Sequence, residues 1–517
     1  MSDLQWWETA IIYQIYPRSF QDSNDDGIGD LPGIKSRLEY ISNLGVDAIW
    51  ISPFFKSPQK DFGYDVSDYY DVNPEYGTLK DFDDLLEVSH GFGLKVMADI
   101  VPAHCSDQHP WFIESRQSRD NEKADWFHWV DPLPDGSPPT NWLSFFGGRA
   151  WTWEPLRQQY YLHNFLPSQP NLNHANPAVR KAIIDVVCFW FDRGIDGFRL
   201  DAVHTINGDS PPYRDNMANP NFVLGPLPQD QQPFFRQLHD NAQLNRPAIQ
   251  KFIEELRVTS DSYEGCRFLM GEVNGDNDGS VEVSKTFTSP GRLHATYNFD
   301  LLQWGGLDVY GIKNVISKAI EVFNGTGSIS FAFSNHDVPR VASRQLAALK
   351  LKPEQQDAMQ LLLLKLAACL IGSSCVYQGE ELGLEDVQDI PLEKLKDPWG
   401  IEFAPTFPGR DTCRTPMVWN SNESNGGFSK ANKTWLPISK CHLKRAGLDQ
   451  TKIIGSIYNE YANFLKWRKS QPAIMNANYM TKLSGGEKQI VFDRKADTQT
   501  LRCIFDFEKL ITEFKEI

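Results

Sequence analysis

Eight short apolar runs, each typical of a β-strand, alternate with helical patterns along most of the chain. Several of them are almost continuously apolar, which is the pattern of parallel strands that are buried on both faces. Eight strand–helix alternations predict an α/β fold, and within that class a (β/α)8 TIM barrel. The runs are AIIYQIY (10–16), VDAIWIS (46–52), LKVMADIV (94–101), IDGFRLDAV (195–203), RFLMGEV (267–273), HATYNFDLL (294–302), ISFAFSNHD (329–337) and SSCVYQGEE (373–381).

Two of the intervening helices carry clear start and stop signals. One pattern begins with Asp30 as N-cap and ends at Gly45. The other begins with Asn176 as N-cap and Pro177 at the first helical position, and it ends at Gly194. Asp and Asn are favoured as N-caps, Pro at the first turn and Gly just past the end, so both segments are predicted helices.

Two connections are longer than a simple crossover needs. About ninety residues, 104–194, separate the third and fourth runs, and a second long loop at 210–235 follows the fourth. Both leave the C-terminal face of the predicted barrel, where barrel enzymes build their active sites. After about residue 475 the pattern changes to short alternating segments. We therefore predict a catalytic barrel from residues 1–103 and 178–474, a subdomain inserted after strand 3 at 104–177, and a small C-terminal β domain at 475–517.

Charge and hydropathy exclude several classes of protein. Asp and Glu outnumber Lys and Arg by 67 to 51, and the formal charge of −16 argues against a nucleic-acid partner. The longest apolar run, 361–372, is too short to cross a membrane and contains Lys365. No signal peptide is visible, and none of the eight cysteines forms a CxxC pair. We expect a cytoplasmic protein, a monomer or weak homodimer, that acts on small molecules without a membrane partner.

Polar side chains capable of catalysis stand at the ends of the predicted strands. Capping of a helix or pairing with an Arg would explain any one of these acids. Carboxylates at the exits of three different strands are harder to explain, because a barrel brings those exits together. Paired carboxylates suit glycoside hydrolysis, in which one attacks the anomeric carbon and another protonates the leaving oxygen. Asp99 and His104 follow strand 3, Arg199 and Asp201 end strand 4, Glu272 ends strand 5, and His336 and Asp337 end strand 7.

Arg199 lies two residues before Asp201, so the two side chains are predicted to point to the same face of their strand. A neighbouring guanidinium lowers the pKa of a carboxyl group, and we expect it to keep Asp201 ionised as a nucleophile. A structural ion pair between the two residues is the alternative.

A candidate cation site lies near the N-terminus. The loop from Asp22 to Asp30 places oxygen-bearing residues at every second position, with a glycine at position 6 where a tight turn is needed. This is the ligand spacing of an EF-hand loop, except that position 12 is Gly33 instead of a Glu. The alternative is an acidic turn that caps the following helix. The candidate ligands of one structural divalent cation are Asp22, Asn24, Asp26, the carbonyl of Ile28, and Asp30.

The chain also resembles the α-glucosidase and oligo-1,6-glucosidase branch of the α-amylase family (glycoside hydrolase family 13) over nearly its whole length. The segments IYQIYPRSFQDSNDDGIGDLPGI, GYDVSDYYDVNPEYGT, SDQHPWF, GFRLDAV, FSNHDVPR, QGEELG and GRDTCRTPM are similar to that branch. The resemblance implies Asp201 as nucleophile, Glu272 as general acid/base and Asp337 as a substrate-fixing carboxylate. It also implies Ca²⁺ or Mg²⁺ in the acidic loop. The residues implied to line a pocket for the non-reducing glucose are Tyr64, Asp65, His104, Arg199, His336 and Arg410, with Arg414 close to the last of these.

The sequence departs from the family pattern in two places. Ala103 stands where the family commonly has the Asn that binds calcium in α-amylases, so that calcium site is expected to be absent. Asn171 stands where the family commonly has Asp, and a local structural effect is expected.

These patterns together predict a retaining, exo-acting α-glucosidase. A glucosyltransferase on the same scaffold and a non-catalytic scaffold subunit are the alternatives. Ala202 follows the nucleophile, and the resemblance implies that Ala or Thr at this place goes with α-1,4 cleavage and Val with α-1,6 cleavage. We expect a preference for α-1,4 linkages.

Overall fold

The computed structural model describes residues 5–218, 238–239, 242–274, 280–388, 390–405, 407, 409–476 and 479–517. Eight parallel strands close into a barrel, in agreement with the prediction, and each of them lies within one of the eight apolar runs. Their order around the barrel is β1-β8-β7-β6-β5-β4-β3-β2. The strands are β1 (Ile11–Ile15), β2 (Ala48–Ile51), β3 (Lys95–Ile100), β4 (Gly197–Leu200), β5 (Phe268–Val273), β6 (Ala295–Asn298), β7 (Ile329–Ala332) and β8 (Ser373–Tyr377).

Helices fill the connections between these strands and cover the barrel. The α-helices are Leu31–Ser36, Leu38–Leu44, Leu79–Gly91, Pro110–Ser115, Pro177–Asp192, Ile249–Asp261, Ser280–Phe287, Val309–Phe323, Val341–Ala348, Gln356–Cys369, Pro398–Phe403, Lys440–Leu443, Gly447–Gln450, Ile457–Lys469 and Pro472–Met475. Short 3-10 helices are Pro17–Ser19, Val203–Thr205, Pro353–Gln355, Glu380–Leu382, Leu392–Lys394, Asp411–Cys413 and Ser424–Gly427.

The predicted helix signals are confirmed. Asp30 accepts a hydrogen bond from the N–H of Gly33, and Gly45 ends the second of two consecutive helices with a φ of 94°. Asn176 accepts from the N–H of Ala178, with Pro177 as the first helical residue. Helix 177–192 ends two residues before Gly194, whose φ of 101° turns the chain into β4.

The strand register aligns the residues that will form the site. Asp99 on β3 lies directly opposite Arg199 on β4, and Met270 on β5 lies opposite Arg199 on its other side. Side chains fill the barrel interior beneath this level, among them Trp50, Met97 and Tyr297, which are fully buried. Because the interior is packed, a substrate can reach polar groups only at the C-terminal ends of the strands.

Two smaller sheets accompany the barrel. The predicted insertion contains a three-stranded antiparallel sheet of Trp129–Val130, Trp151–Glu154 and Gln159–Leu162. Asn171 accepts the N–H of Asn164 there at 2.7 Å. The chain ends in a three-stranded antiparallel sheet of β9 (Gln489–Ala496), β10 (Gln499–Asp506) and β11 (Ile511–Glu516). Two-stranded pairs join Phe55–Lys56 to Asp68–Val72 and Met217–Ala218 to Leu238–His239.

Much of the second long loop predicted at 210–235 lies outside the described residues. Within the described ranges, no helix combines the length and the apolar character that a membrane span requires.

Candidate active site

One buried guanidinium holds three carboxylates at the C-terminal end of the barrel. Arg199 Nη1 donates to Asp99 Oδ1 at 2.9 Å and to Asp201 Oδ1 at 2.6 Å, and Arg199 Nη2 donates to Glu272 Oε2. Asp99 lies on β3 and Glu272 on β5, and Asp201 directly follows β4. Arg199 and Asp201 are therefore in contact, as the sequence predicts. The guanidinium also binds two further carboxylates, those of Asp99 and Glu272.

The backbone around Asp201 adds a second anchor. The N–H of Asp201 bonds to the carbonyl of Ile100 at 2.8 Å. Ala202 then turns into the left-handed region, with φ 40° and ψ 40°, and its N–H donates to Glu272 Oε2 at 2.7 Å. Within the described residues, Glu272 Oε1 accepts no hydrogen bond.

The electrostatics of this cluster differ from the expectation for Asp201. Burial raises the pKa of Asp201 and the charges of Glu272 and Asp99 add to that effect, so the lowering by Arg199 is outweighed. Burial likewise raises the pKa of Asp99 to about 7, against the pull of Arg199. The expectation that Arg199 keeps the pKa of Asp201 low is wrong in its net direction, because one guanidinium does not offset burial together with the charges of two neighbouring carboxylates.

Asp337 has the opposite environment. Its carboxylate lies 2.9 Å from Arg414 Nη2, 3.1 Å from Arg410 Nη1 and 3.3 Å from His336 Nε2. Burial acts to raise the pKa of Asp337, but the guanidinium groups of Arg410 and Arg414 outweigh it and hold the pKa below its usual value. Asp337 is therefore ionised, whereas burial shifts the pKa values of Asp99 and Asp201 in the opposite direction.

His336 links the two clusters. Gln14 Nε2 lies 2.7 Å from His336 Nδ1, and the Tyr64 hydroxyl lies 2.6 Å from His336 Nε2. The same hydroxyl donates to Asp99 Oδ2 at 3.2 Å. Burial holds the pKa of His336 well below its usual value, so the ring is neutral. An amide donor at Nδ1 places the single ring proton on Nε2, facing Tyr64 and Asp337.

His104 offers an unused acceptor. Its Nε2 lies 3.0 Å from the carbonyl of Tyr64, and burial lowers the pKa of the ring to about 4. Its Nδ1 is buried and has no hydrogen-bond partner among the residues that the structure describes. A neutral ring that donates through Nε2 has a lone pair on Nδ1, which suits a sugar hydroxyl.

Asp65 is not placed as a pocket residue. Its carboxylate accepts hydrogen bonds from the Ser57 hydroxyl and from the N–H groups of Lys60 and Asp61, at 2.9 to 3.0 Å, and it is fully buried. It shapes the turn that carries Asp61. The acid that meets the predicted pocket residues is Asp61, which bonds to Arg410 Nη2 at 2.9 Å and accepts from Gln169 Nε2 at 3.0 Å.

Arg410 and Arg414 both form an ion pair with Asp337, so both arginines belong to the site. Arg410 additionally bonds to Asp61 and to Asp397, and its guanidinium carbon lies 4.9 Å from the centre of the Phe146 ring. The Asp61–Arg410 pair forms one wall of the site, which we call the end wall. The described residues that contribute here without a sequence prediction are Asp61, Phe146, Gln169 and Asp397.

The predicted cation loop forms a network of backbone-to-carboxylate hydrogen bonds. Asp22 accepts from the N–H groups of Asn24, Asp25 and Gly27 at 2.8 to 2.9 Å. Burial raises the pKa of Asp30, and the charge of Asp22 contributes, so the two carboxylates lie near each other. Asp30 also caps the following helix through the N–H of Gly33, as the alternative interpretation expected.

The donor set of this loop is compatible with a hard cation, since it contains only carboxylate, amide and carbonyl oxygens. In the described part of the chain, no three His, Cys, Asp or Glu side chains are grouped closely enough to hold a metal. A cation here would therefore depend on the oxygens of Asn24 and Ile28 as well as on the acids.

Comparisons with known proteins agree with this geometry. The chain is 48% identical over 477 residues to a probable α-glucosidase of Rhizobium meliloti, covering 91% of this chain and 84% of that protein. It is 34% identical to an oligo-1,6-glucosidase of Heyndrickxia coagulans, covering 96% and 91% of the two chains. Among solved structures, the α-glucosyl transfer enzyme XgtA superimposes with a TM-score of 0.89 at 44% identity, covering 98% of this chain and 92% of that one.

A more distant structure extends the range of similar proteins. The trehalulose synthase MutB from Pseudomonas mesoacidophila has a TM-score of 0.86 at 30% identity, covering 98% of this chain and 91% of that one.

The α-amylase catalytic-domain family model matches residues 14–477. With the closed barrel and the acids at its C-terminal end, this match shows that the chain belongs to the α-amylase family.

Proposed function

We propose that this protein is a retaining, exo-acting α-glucosidase that removes a terminal α-linked glucose from short oligosaccharides or glucosides. The observation that carries the proposal is the attachment of Asp201 and Glu272 to the two terminal nitrogens of Arg199. A shared guanidinium keeps the two carboxyl groups close together. Retaining glycosidases need about 5–5.5 Å between them, less than the separation in inverting enzymes, which must admit a water.

In the first step, Asp201 attacks the anomeric carbon of the terminal glucose while Glu272 donates a proton to the leaving oxygen. A covalent β-glucosyl-enzyme on Asp201 results. In the second step, Glu272 takes a proton from water, the water oxygen attacks the same carbon, the bond from that carbon to Asp201 breaks, and α-glucose is released. Asp337, which stays ionised, binds sugar hydroxyl groups and favours distortion of the ring.

The end wall supports exo action. Asp61 and Arg410 are almost completely buried and bonded to each other, and Phe146 packs over the guanidinium. A sugar chain cannot continue past such a wall, so the pocket would accept a terminal residue. His104 Nδ1, which has no partner within the described ranges, would accept a hydrogen bond from that glucose.

Release of p-nitrophenol from its α-glucoside by the purified protein tests the activity, with Asp201→Asn as the inactive control. Product profiles on maltose, isomaltose, sucrose, trehalose and maltotriose then define the substrate. No release of nitrophenol by the wild type, together with no cleavage of any of these sugars, would contradict the proposal and favour a non-catalytic scaffold.

A transglucosylase is the second candidate, and the similarity to an α-glucosyl transfer enzyme and a trehalulose synthase favours it. The same glucosyl-enzyme can react with a sugar or alcohol in place of water. The ratio of transfer product to free glucose, measured with maltose at low and high concentration, separates the two. Predominant transfer at low substrate concentration would assign the chain to the transferases.

We further propose that Asp22, Asn24, Asp26, the Ile28 carbonyl and Asp30 bind one Ca²⁺ or Mg²⁺. All five contribute oxygen, and two of the carboxylates lie near each other in a partly buried loop. When bound, the cation would offset this repulsion and stabilise the first barrel loop. None of these residues takes part in the catalytic steps.

We also propose that the protein acts in the cytoplasm as a monomer or weak homodimer. All eight cysteines are free thiols, which fits a reducing compartment. Light scattering across a hundredfold concentration range tests the oligomeric state, and cell fractionation tests the location.

A further inference from the structure

A fully buried carboxylate holds Arg410 from the side opposite the pocket. Asp397 Oδ2 accepts the backbone N–H of Arg410 at 2.6 Å. Asp397 Oδ1 accepts from Arg410 Nη2 at 2.7 Å and from Nε at 3.1 Å. One carboxylate therefore fixes both the backbone and the side chain of this arginine.

The local sequence alone would assign Asp397 a different role. It precedes the helix Pro398–Phe403 at the N-cap position, with Pro398 as the first helical residue. An Asp at this position ordinarily accepts an N–H of the first helical turn. Asp397 makes no such cap hydrogen bond, because its carboxylate is turned towards Arg410. The side chain serves the arginine and not its own helix.

The segments that carry the two residues are joined reciprocally. Asp411 Oδ2 accepts the N–H groups of Lys396 and Asp397 at 2.5 and 3.0 Å. Gly409 has a φ of +67°, and a Cβ there would lie 2.3 Å from Asp397 Oδ2. A glycine is needed for the two segments to approach this closely.

The opposite side of Arg410 faces the sugar pocket. Its Nη2 bonds to Asp61 at 2.9 Å and its Nη1 to Asp337 at 3.1 Å. The guanidinium thus spans three carboxylates, and its planar fork can satisfy them together only in one orientation. Removal of Asp397 would leave the guanidinium free to rotate towards either remaining acid.

We propose that Asp397 is a positioning residue of the sugar pocket, which acts through Arg410 to set the spacing between Asp61 and Asp337. This inference rests on the proposed function, since it takes a terminal glucose as the ligand of that wall. Asn cannot replace Asp397, because an amide has one oxygen for the three N–H donors and turns an NH2 group towards another donor.

A double-mutant cycle tests the proposal. Asp397→Asn, Arg410→Ala and the double variant are compared with wild type in glucose dissociation constant, in KM and kcat on p-nitrophenyl α-glucoside, and in melting temperature. We expect Asp397→Asn to weaken glucose binding and to lower kcat/KM at least tenfold, mainly through KM. In the Arg410→Ala background the same change should add less than twofold, because residues that act through one another are not additive.

Two further variants separate positioning from folding. Asp397→Ser can cap helix 398–403 and preserve its stability, yet it leaves Arg410 without a carboxylate, so the loss of glucose binding should persist. Asp411→Asn disturbs the same two segments without touching the guanidinium, and it should lower the melting temperature with less than a threefold change in KM. Equal losses in both Arg410 backgrounds, or a loss in Asp411→Asn as large as in Asp397→Asn, would overturn the proposal.

Failure of the hydrolase proposal can be distinguished from failure of the proposal for Asp397. A wild-type protein that binds glucose but releases no nitrophenol would refute hydrolysis. The glucose dissociation constants would still decide the role of Asp397.

Discussion

The N–H of Ala202 donates to Glu272 Oε2 at 2.7 Å, so the residue that follows the proposed nucleophile also positions the proposed acid. Ala202 makes this bond from a left-handed conformation, with φ 40°. A β-branched residue is strained in that region, at a cost of about 1–3 kcal/mol. Position 202 therefore contacts the proposed acid through its backbone, and its side chain is expected to border the leaving sugar.

Ala202→Val is expected to shift linkage preference from maltose towards isomaltose and to lower kcat/KM on both. One or two added methyl groups in a pocket are worth roughly 10- to 200-fold in discrimination, and the strain of a Val would displace the bond to Glu272. Ala202→Gly is the matched control and should keep the wild-type ratio. A wild type that prefers isomaltose would contradict the α-1,4 preference, and a ratio within about twofold of wild type in Ala202→Val would remove position 202 as its determinant.

Asp201→Ala and Glu272→Gln are each expected to abolish most activity with the fold retained. Loss of either group from a two-carboxylate mechanism costs several orders of magnitude in rate. The measurements are turnover of p-nitrophenyl α-glucoside and the circular dichroism spectrum of each variant. The product of the wild type should be α-glucose, detected by NMR before mutarotation. Initial release of β-glucose would contradict a retaining mechanism.

A buried acid outside the active site predicts a pH-dependent stability. Glu380 is buried just beyond β8, where burial raises its pKa from 4.5 to about 8. The folded state then binds this proton more tightly than the unfolded state, so stability decreases as the pH rises from about 4.5 to about 8. Glu380→Gln removes this titrating group. The free energy of unfolding of the variant, relative to that of wild type, should therefore increase by about 1–4 kcal/mol between pH 5 and pH 9.

Urea unfolding of wild type and Glu380→Gln at pH 5, 7 and 9 measures this difference. Glu354→Gln is the control, because Glu354 is exposed. Parallel pH profiles for wild type and Glu380→Gln would show that Glu380 is not responsible.

Chelation is expected to lower the melting temperature more than it lowers turnover at moderate temperature. A cation that binds only the folded state stabilises it by mass action, by about 2.7 kcal/mol at a hundredfold excess over its dissociation constant. Asp26→Ala should lower the melting temperature in the same way and abolish the response to chelator, because Asp26 is a proposed ligand of the cation. Turnover at moderate temperature should persist, because Asp26 is not one of the carboxylates bound to Arg199. An unchanged melting temperature after exhaustive chelation would contradict the proposal that this loop binds a stabilising cation.

The eight strands and the helix caps could be predicted from the sequence because local patterns determine them. Gly45 and Asn176, for example, match the backbone geometry at the ends of their helices. The carboxylates at strand ends could be predicted for a related reason: a closed barrel brings the C-terminal ends of its strands together. The nucleophile and acid assignments remain predictions that the proposed variants will test.

The parts of the site that were not predicted depend on contacts between distant segments. Asp61 and Asp65 lie in the same turn, and the sequence does not indicate which carboxylate accepts backbone N–H groups and which one meets Arg410. The raised pKa of Asp201 depends on burial and on acids from other strands, neither of which is encoded next to it. Asp397 has the sequence context of a helix cap, and only the folded chain turns it towards Arg410.

The bond between Arg410 and Asp61 joins residues 349 positions apart in the chain. Such a contact forms only after the first and last thirds of the polypeptide have both reached their final places. A truncated or partly refolded molecule would therefore lack a closed sugar pocket, however much secondary structure it had regained. Recovery of glucose binding during refolding would consequently report completion of the whole barrel, later than any spectroscopic signal of helix formation.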